Sequence, residues 1–141
     1  MTWSVQDHAD AGLNLLRADV GLTVFDGAIP PGSTADHYVV VYTYRELPTS
    51  LAAPDKIKLT GKSTVVNMVL YCHCVGTDGI TSRAVQGRVQ AALLDQIPVV
   101  AGRTCQPIRW DSGNQEQRNE VLGSLVVDTV DVYAWSSVAP G

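Results

Sequence analysis

The residues from Thr64 to Gly76 carry the clearest alternation of apolar and polar positions in the chain. From Val66 to Cys74 every even-numbered position is apolar, whereas the odd-numbered positions include Asn67, Tyr71 and His73. Alternate residues of a strand point to opposite faces of a sheet. The segment is therefore predicted to be a strand with one apolar face and one mixed face.

A helical pattern follows this strand directly. Between Ile80 and Ile97, apolar residues recur at helical spacing, and they are Val85, Val89, Ala92, Leu93 and Ile97. This spacing predicts an amphipathic helix of about five turns. Asp78 or Thr81 is expected to cap its first turn, and Pro98 lies just beyond its end. The strand and the helix together form the predicted centre of the core.

Similar patterns predict the remaining elements. An opening helix has its apolar stripe on Val5, Ala9, Leu13 and Leu16. The predicted strands are Leu22–Phe25, Tyr38–Tyr44, Thr104–Trp110, in which Pro107 requires an edge or a bulge, and Leu125–Ser136. A loop over residues 45–63 and a polar arm over residues 111–123 show no period. Loops as long as the first are usually functional or disordered.

The resulting order is α-β-β-β-α-β-β, which predicts an α+β fold. We expect a two-layer sandwich in which a mostly antiparallel sheet of four to five strands carries two helices on one face. The length of 141 residues is enough for one domain with a real core. Residues 1–141 are therefore predicted to form a single domain.

The face that each strand turns to the helices predicts a second feature. We expect Val39, Val41 and Thr43 in one strand, and Val130, Val132 and Ala134 in the last, to face the helices. The reverse face would then carry His73, Asp131 and a set of aromatic residues, which are Tyr38, Tyr42, Tyr44, Tyr71, Tyr133 and Trp135. A large exposed aromatic surface usually marks a contact with another protein. The alternative is that the long loop or the polar arm of the same chain covers this face.

Composition narrows the possible functions. Apolar residues make up 45% of the chain and charged residues only 17%, which is low for a soluble protein and typical of a surface partly covered by other subunits. The net charge of -4, without any run of Lys or Arg, argues against a protein that grips nucleic acid. No segment resembles a signal peptide or approaches the ~20 apolar residues of a membrane span. We therefore expect a soluble protein that is made in the cytoplasm.

No group of residues predicts an enzyme, a metal site or a cofactor. In Cys72-His73-Cys74 the histidine points away from both thiols, so the three side chains cannot converge on one ion. Three cysteines, an odd number, do not make a disulfide framework. Cys105 has no histidine in a recognisable motif with it, and no known phosphate-binding or hydrolase motif occurs. A small ligand-binding or thiol-dependent enzyme remains an alternative.

Taken together, the segments resemble the tail terminator proteins of long-tailed, siphovirus-type bacteriophages, in particular those of actinobacterial hosts. The resemblance covers nearly the whole chain. It rests on Leu15 to Asp19, Leu22 to Gly27, Tyr38 to Tyr42, Arg88 to Asp95, Cys105 to Arg109, the Gln-rich segment after it and Val130 to Tyr133.

This resemblance implies a structural role in the virion, at the junction of head and tail, after assembly in the host cytoplasm. Six copies would form a ring that caps the tail tube, stops its growth and joins it to the head. The partners implied are further copies of the chain, the major tail tube protein, the head-closure or stopper protein and the tape-measure protein. DNA would pass through the lumen without specific binding. Another head-tail connector and a tail-tube subunit are the alternative roles.

The long loop is a second candidate contact, because it carries all three lysines of the chain. We expect Arg45, Lys56, Lys58 and Lys62 to reach a neighbouring subunit or the tube, where the lysines would meet acidic groups. The polar arm would contact the adjacent subunit or the head side. The alternative is that both segments are solvated loops.

Overall fold

The described part of the chain consists of one curled sheet and two helices. The computed structural model describes residues 5–46, 65–121 and 124–138. Within these ranges the elements in chain order are α1 (Val5–Arg17), β1 (Val24–Asp26), β2 (Tyr38–Glu46), β3 (Val65–Gly76), α2 (Gly79–Leu93), β4 (Thr104–Cys105), β5 (Arg109–Gly113), β6 (Gln117–Val121) and β7 (Ser124–Val138). Lys56, Lys58 and Lys62 lie outside the described residues.

The strand order confirms the predicted α+β class with a mostly antiparallel sheet. Strands β1, β2, β3 and β7 lie side by side, and β4, β5 and β6 pair in turn with the other side of β7. Only the pairing of β1 with β2 is parallel among the described strands. The strand predicted over Thr104–Trp110 is interrupted at Pro107, which has no N–H to donate, and forms β4 and the start of β5.

Both helices cover the same face of the sheet, which we call the helix face. The even-numbered residues of β3 from Val66 to Cys74 are buried there, as the alternation predicted. Leu13 and Leu16 of α1 and the stripe of α2 pack against them in one apolar cluster. Burial of this apolar surface is the main favourable contribution to folding.

Helix α2 begins where it was predicted to begin but ends earlier. The carboxylate of Asp78 caps the helix by accepting a hydrogen bond from the backbone N–H of Thr81, at 2.8 Å. Leu94 already has an extended conformation, and Asp95 has a positive φ of 62°. The prediction that the stripe continues to Ile97 is wrong, because Asp95 and Gln96 instead exchange backbone hydrogen bonds with Ile108. The side chain of Ile97 is exposed.

Helix α1 buries a slightly different stripe from the one predicted. Val5 is exposed, whereas His8 and Gly12 are buried beside Leu13 and Leu16. The ring of His8 stacks on that of Trp135 at a centroid distance of 5.5 Å, and its Nε2 lies 2.8 Å from Ser137 Oγ. Hydrogen bonding and stacking thus allow a polar residue to occupy a core position.

The last strand turns the opposite face to the helices from the one predicted. Tyr133 lies directly opposite Leu70 of β3, and Trp135 lies opposite Met68. Residues that lie directly opposite each other on neighbouring strands share a face. Tyr133 and Trp135 are therefore buried in the helix-face core, and their predicted place on the reverse face is wrong.

A buried carboxylate explains why the pattern of β7 was misleading. Asp131 belongs to the same helix-facing set, and it is buried. Gln86 of α2 and Trp110 of β5 both donate hydrogen bonds to its two oxygens, at 2.7 and 3.1 Å. A buried carboxylate is tolerated when neighbouring groups hydrogen-bond it. The sequence pattern, which treated Asp131 as a surface residue, therefore assigned the whole strand to the wrong face.

Candidate functional site

Three tyrosines form an exposed cluster on the reverse face, the face that carries no helix. Tyr42 and Tyr44 of β2 are 47% and 42% exposed, and Tyr71 of β3 is 36% exposed. Tyr42 lies opposite Tyr71 in the antiparallel pairing, and the ring of Tyr44 stacks on that of Tyr71 at a centroid distance of 5.7 Å. We call Tyr42, Tyr44 and Tyr71 the aromatic patch. Tyrosine is enriched at protein interfaces because it combines a large apolar ring with a hydroxyl group.

A histidine and a carboxylate border the aromatic patch. The ring of His73 meets that of Tyr42 edge-on, at a centroid distance of 5.4 Å. Its Nδ1 lies 3.0 Å from Oδ2 of Asp128 on β7. This contact fixes the orientation of the imidazole, which in turn packs against Tyr42. The patch is thus held by contacts within the sheet rather than by a covering layer among the described residues.

The other end of the reverse face is already covered by the same chain. Tyr38, Val40 and Val75 belong to a second, small apolar cluster, against which Phe25 of β1 and Ile29 of the segment after β1 pack. Tyr38 is only 3% exposed, and burial, with the charge of Asp128, raises the pKa of its hydroxyl. Tyr38 therefore lies on the predicted face but is not accessible to another subunit.

Arg45 lies in a strand and not in the long loop. Strand β2 continues to Glu46, two residues beyond the predicted end. Arg45 is opposite Met68 in the pairing with β3, so it belongs to the helix-face set, whereas Tyr44 points to the reverse face. Of the seven predicted interface residues that lie in the described ranges, the structure brings the three tyrosines of the aromatic patch together on an exposed surface. Their role in an interface stays a prediction.

The sequence pattern did not single out Trp110, a second exposed aromatic residue. It is 53% exposed at the outer edge of the sheet, although its indole N–H is fixed by Asp131. Gly113 leaves the space for this contact, because a Cβ there would lie 2.6 Å from Asp131 Oδ1 and 3.3 Å from the indole ring. A large exposed side chain held in one orientation is typical of an interface anchor. In the sequence, the sign of this contact is the spacing of Trp110 and Gly113, because the glycine follows the tryptophan by three residues.

The thiols are poor candidates for nucleophiles. Burial, together with the charge of Asp131, raises the pKa of Cys72 to about 12. Burial also raises the pKa of Cys74 and of the half-buried Cys105. A reactive cysteine needs the opposite shift, because the thiolate is the nucleophile. These three thiols stay protonated near neutral pH.

The described ranges were also inspected for metal sites and membrane spans. Across residues 5–46, 65–121 and 124–138, no three His, Cys, Asp or Glu side chains are grouped so that they could hold a metal ion. Cys72 and Cys74 are buried on the helix face, and His73 points to the reverse face. Within the same ranges, neither helix is long and apolar enough to cross a bilayer.

Comparison with known proteins gives structural matches only. No family model matches the chain, and no curated protein does. A chain described as part of the virion of a native gene transfer agent particle has the same fold, with a TM-score of 0.61 at 21% identity over 92% of this chain and 93% of that one. A second solved chain, whose name describes no function, matches with a TM-score of 0.61 at 16% identity over 96% of both chains. The fold is therefore one that occurs in a virion particle.

Proposed function

We propose that this chain is a structural protein of a phage-type virion and that it has no enzymatic activity. The observation that carries the proposal is that its fold matches a virion chain over nearly the full length of both proteins. The raised pKa values of the thiols support the non-enzymatic role.

Within the virion, the role we propose is that of the tail terminator. Six copies would form a ring on the last ring of the tail tube, stop its polymerisation and join the tail to the head. The proposed partners are other copies of the chain, the major tail tube protein, the head-closure or stopper protein and the tape-measure protein. The support for this finer role is the resemblance of the sequence segments to terminator proteins.

The aromatic patch is the proposed contact with protein. Tyr42, Tyr44 and Tyr71 lie together on a face that the described residues leave open, next to a covered region of the same face. Burial of three tyrosines at a subunit contact would remove a surface that costs free energy when it faces water. In a terminator, one side of the ring must accept the tube and the other must refuse a further tube ring. Specificity would then arise because the wrong partner finds no complementary surface.

The charge of the chain suits a channel for DNA. The net charge is -4, and the lysines are confined to the long loop. A lumen of the same sign as the phosphates does not hold the DNA that slides through it. DNA is accordingly proposed to pass through the ring without specific binding.

Capping of purified tails tests the proposal. The protein is mixed with tails that lack their top ring, and the ends are imaged by electron microscopy. We expect a six-fold cap at one end only. A Tyr42→Ala, Tyr71→Ala double variant should cap poorly, whereas an Ile80→Ala variant, which changes an exposed residue of α2, should cap normally. Failure of the wild-type protein to bind either end would contradict the terminator role, and long filaments of the protein alone would favour a tube subunit.

The long loop gives a separate prediction. Charge reversal at Lys56, Lys58 and Lys62 to Glu should leave the monomer folded but weaken capping, because the lysines are proposed to meet acidic groups on a partner. The corresponding Lys→Arg variant keeps the charge and serves as the control. Normal capping by the Glu variant would remove this loop from the interface.

A further inference from the structure

The exposed tyrosine and tryptophan side chains of the described residues lie at two places on the sheet. The aromatic patch lies on the reverse face, across β2 and β3, and its three rings are between 36% and 47% exposed. Trp110 lies on β5, on the other side of β7, and is 53% exposed. It is directly opposite Tyr133, which is buried on the helix face, so Trp110 belongs to that face. The two sites therefore occupy opposite sides and opposite faces of one sheet.

The two aromatic sites are level with each other along the strands. Following the strand pairings, the row of Trp110 leads across β7 and β3 to Thr43 of β2. Thr43 lies between Tyr42 and Tyr44 in the chain. A displacement of one copy across the strands, without a shift along them, therefore carries Trp110 to the level of the aromatic patch in the next copy.

A polar contact accompanies the aromatic site on both surfaces. On the reverse face, the contact between His73 and Asp128 crosses the row of Thr129 in β7. On the helix face, Arg83 of α2 forms an ion pair with Glu116, which lies in the break between β5 and β6. This break is level with the same Thr129. Both polar contacts therefore lie on the same side of the aromatic site and the same number of rows away from it.

The charges of the two polar contacts are complementary. Asp128 brings a carboxylate to the reverse face, and Arg83 brings a guanidinium whose side chain is 56% exposed. Opposite charges that face each other across a contact fix its register and favour the correct partner. Aromatic rings also attract one another in stacked or edge-on arrangements. A second copy of the chain therefore offers a surface that matches the first at two points.

We propose that Trp110 of one copy packs against the aromatic patch of the next copy, with Arg83 facing Asp128 beside it. Because the two sites lie on opposite faces, the copies would overlap, with the helix face of β5 in one copy lying over the reverse face of the next. The contact joins two different surfaces, and a heterologous contact of this kind makes a ring when it closes. The inference rests on the proposed ring and identifies the surfaces through which its subunits join.

The rings on both surfaces are already held in place within one chain. The indole N–H of Trp110 donates a hydrogen bond to the buried Asp131, at 3.1 Å. In the aromatic patch, the ring of Tyr44 stacks on that of Tyr71. Side chains that are ordered before association lose less conformational freedom when the contact forms. Both surfaces are thus prepared for the contact.

Two complementary variants test the contact in solution. Trp110→Ala removes the ring from one surface, and a Tyr42→Ala, Tyr71→Ala variant removes rings from the other. Each variant alone should stay monomeric in native mass spectrometry, under conditions in which the wild-type chain forms rings. An equal mixture should give dimers and stop there, because the two intact surfaces can form one contact only. Leu125→Ala, which changes another exposed apolar residue, is the control and should form rings. Circular dichroism checks that each variant is folded.

Photocrosslinking tests the contact on capped tails. Benzoylphenylalanine in place of Trp110 keeps an aromatic ring and forms a covalent link to a neighbouring group on irradiation. We expect crosslinked dimers in which the link lies between Tyr42 and Tyr44 or at Tyr71, as read by mass spectrometry. A link to the tail tube protein instead would overturn the inference.

A charge variant tests the orientation of the two copies. Arg83→Ala should weaken the association by about two- to five-fold, as for other exposed ion pairs, and should make it less sensitive to salt. Arg88→Ala removes an ion pair between α2 and Asp19 and serves as the control. An affinity and a salt dependence of Arg83→Ala equal to those of the control would overturn the proposed orientation.

The outcomes separate this inference from the proposed function. Dimers of Trp110→Ala alone would indicate a two-fold contact between aromatic patches and overturn the inference. Tails capped equally well by Trp110→Ala and by the wild-type chain would also overturn it, while leaving the terminator role intact. Rings that need Trp110 but never cap tails would support the inference and contradict the terminator role. A wild-type chain that neither forms rings nor caps tails would contradict both.

Discussion

The two faces of the sheet differ in what covers them. On the helix face, Leu70, Met68 and Tyr133 are fully buried under α1 and α2. On the reverse face, the segment after β1 covers Tyr38 and its neighbours, whereas Tyr42, Tyr44 and Tyr71 stay exposed. The helix face therefore contributes most of the stability of the fold, and the exposed part of the reverse face is the proposed contact surface.

Because the two faces are covered differently, substitutions on the helix face should affect stability, and substitutions on the reverse face should affect assembly. A residue on the helix face is expected to affect unfolding first, because truncation leaves a cavity in a packed core. A residue of the aromatic patch has fewer contacts within the chain, so its truncation should mainly affect association. Neighbouring residues of one strand allow this to be measured, since they point to opposite faces.

The largest expected effect is at Leu70. Leu70→Ala should lower the free energy of unfolding by about 2–5 kcal/mol, as for other buried leucines. Tyr71→Ala, one residue further on the exposed face, should cost roughly 1 kcal/mol through loss of its stacking on Tyr44. Urea denaturation of both variants measures the difference. Equal losses would show that the reverse face stabilises the monomer as much as the helix face does.

Alanine substitutions at two helix glycines, Gly12 and Gly87, should change the free energy of unfolding by an intermediate amount. In Gly12→Ala the new Cβ would lie 2.8 Å from Leu70 Cδ2, whereas Gly87 has nothing within 4 Å of its ideal Cβ position. Overpacking costs about 1–3 kcal/mol and alanine in a helix gains about 1 kcal/mol, so Gly12→Ala should be destabilising by about 1 kcal/mol. Gly87→Ala should stabilise the protein by about 0.5–1 kcal/mol.

Thermal and urea unfolding of the two glycine variants measure this prediction. A stabilised Gly12→Ala variant would show that α1 packs less tightly on Leu70 than its position suggests. A destabilised Gly87→Ala variant would mean that the outer side of α2 has a contact beyond the described residues.

The smallest effect concerns the cap that starts α2. The backbone N–H of Thr81 and then its hydroxyl donate to Asp78 and hold the pKa of this carboxyl below its usual value of 3.8. A lowered folded-state pKa adds stability that is present above the unfolded-state value and is lost as the pH falls through the folded-state value. The stability difference between wild type and Asp78→Ala should therefore narrow below about pH 4.

Thermal unfolding from pH 7 to pH 2.5 measures how much the Asp78 cap contributes to stability at each pH. Asp78→Ser keeps a neutral capping oxygen and should show no such narrowing relative to Asp78→Ala. A difference that is constant over this range would mean that the charge of Asp78 does not stabilise α2.

Much of the fold could be predicted from local patterns. The alternation in β2 and β3 correctly assigned Val39 and Leu70 to the helix face and Tyr42 to the reverse face, because these strands have one face that is clearly apolar. The stripe of α2 was predicted for the same reason, and Asp78 was one of the two residues predicted to cap the helix. The end of α2 was not predicted, because the backbone N–H of Asp95 donates a hydrogen bond to Ile108. Ile108 lies outside the helical pattern, so the pattern gives no sign of this contact.

The candidate site was predicted only in part. The aromatic patch follows from the alternation in two neighbouring strands, but Tyr133 and Trp135 were assigned to it wrongly. Both sides of β7 mix large and polar side chains, so hydrophobicity could not decide its orientation. Trp110 was missed because its fixed position depends on the buried Asp131, twenty-one residues away.

The sequence by itself determined which residues of each strand share a face, since this depends only on the local geometry of the chain. It also determined where the central helix starts, because the candidate caps Asp78 and Thr81 both precede its apolar stripe. The tertiary structure alone decided which face of β7 meets the helices and which tyrosines of the described residues stay exposed. Those depend on the register between strands, and a shift of one residue reverses every side chain while leaving the local pattern unchanged.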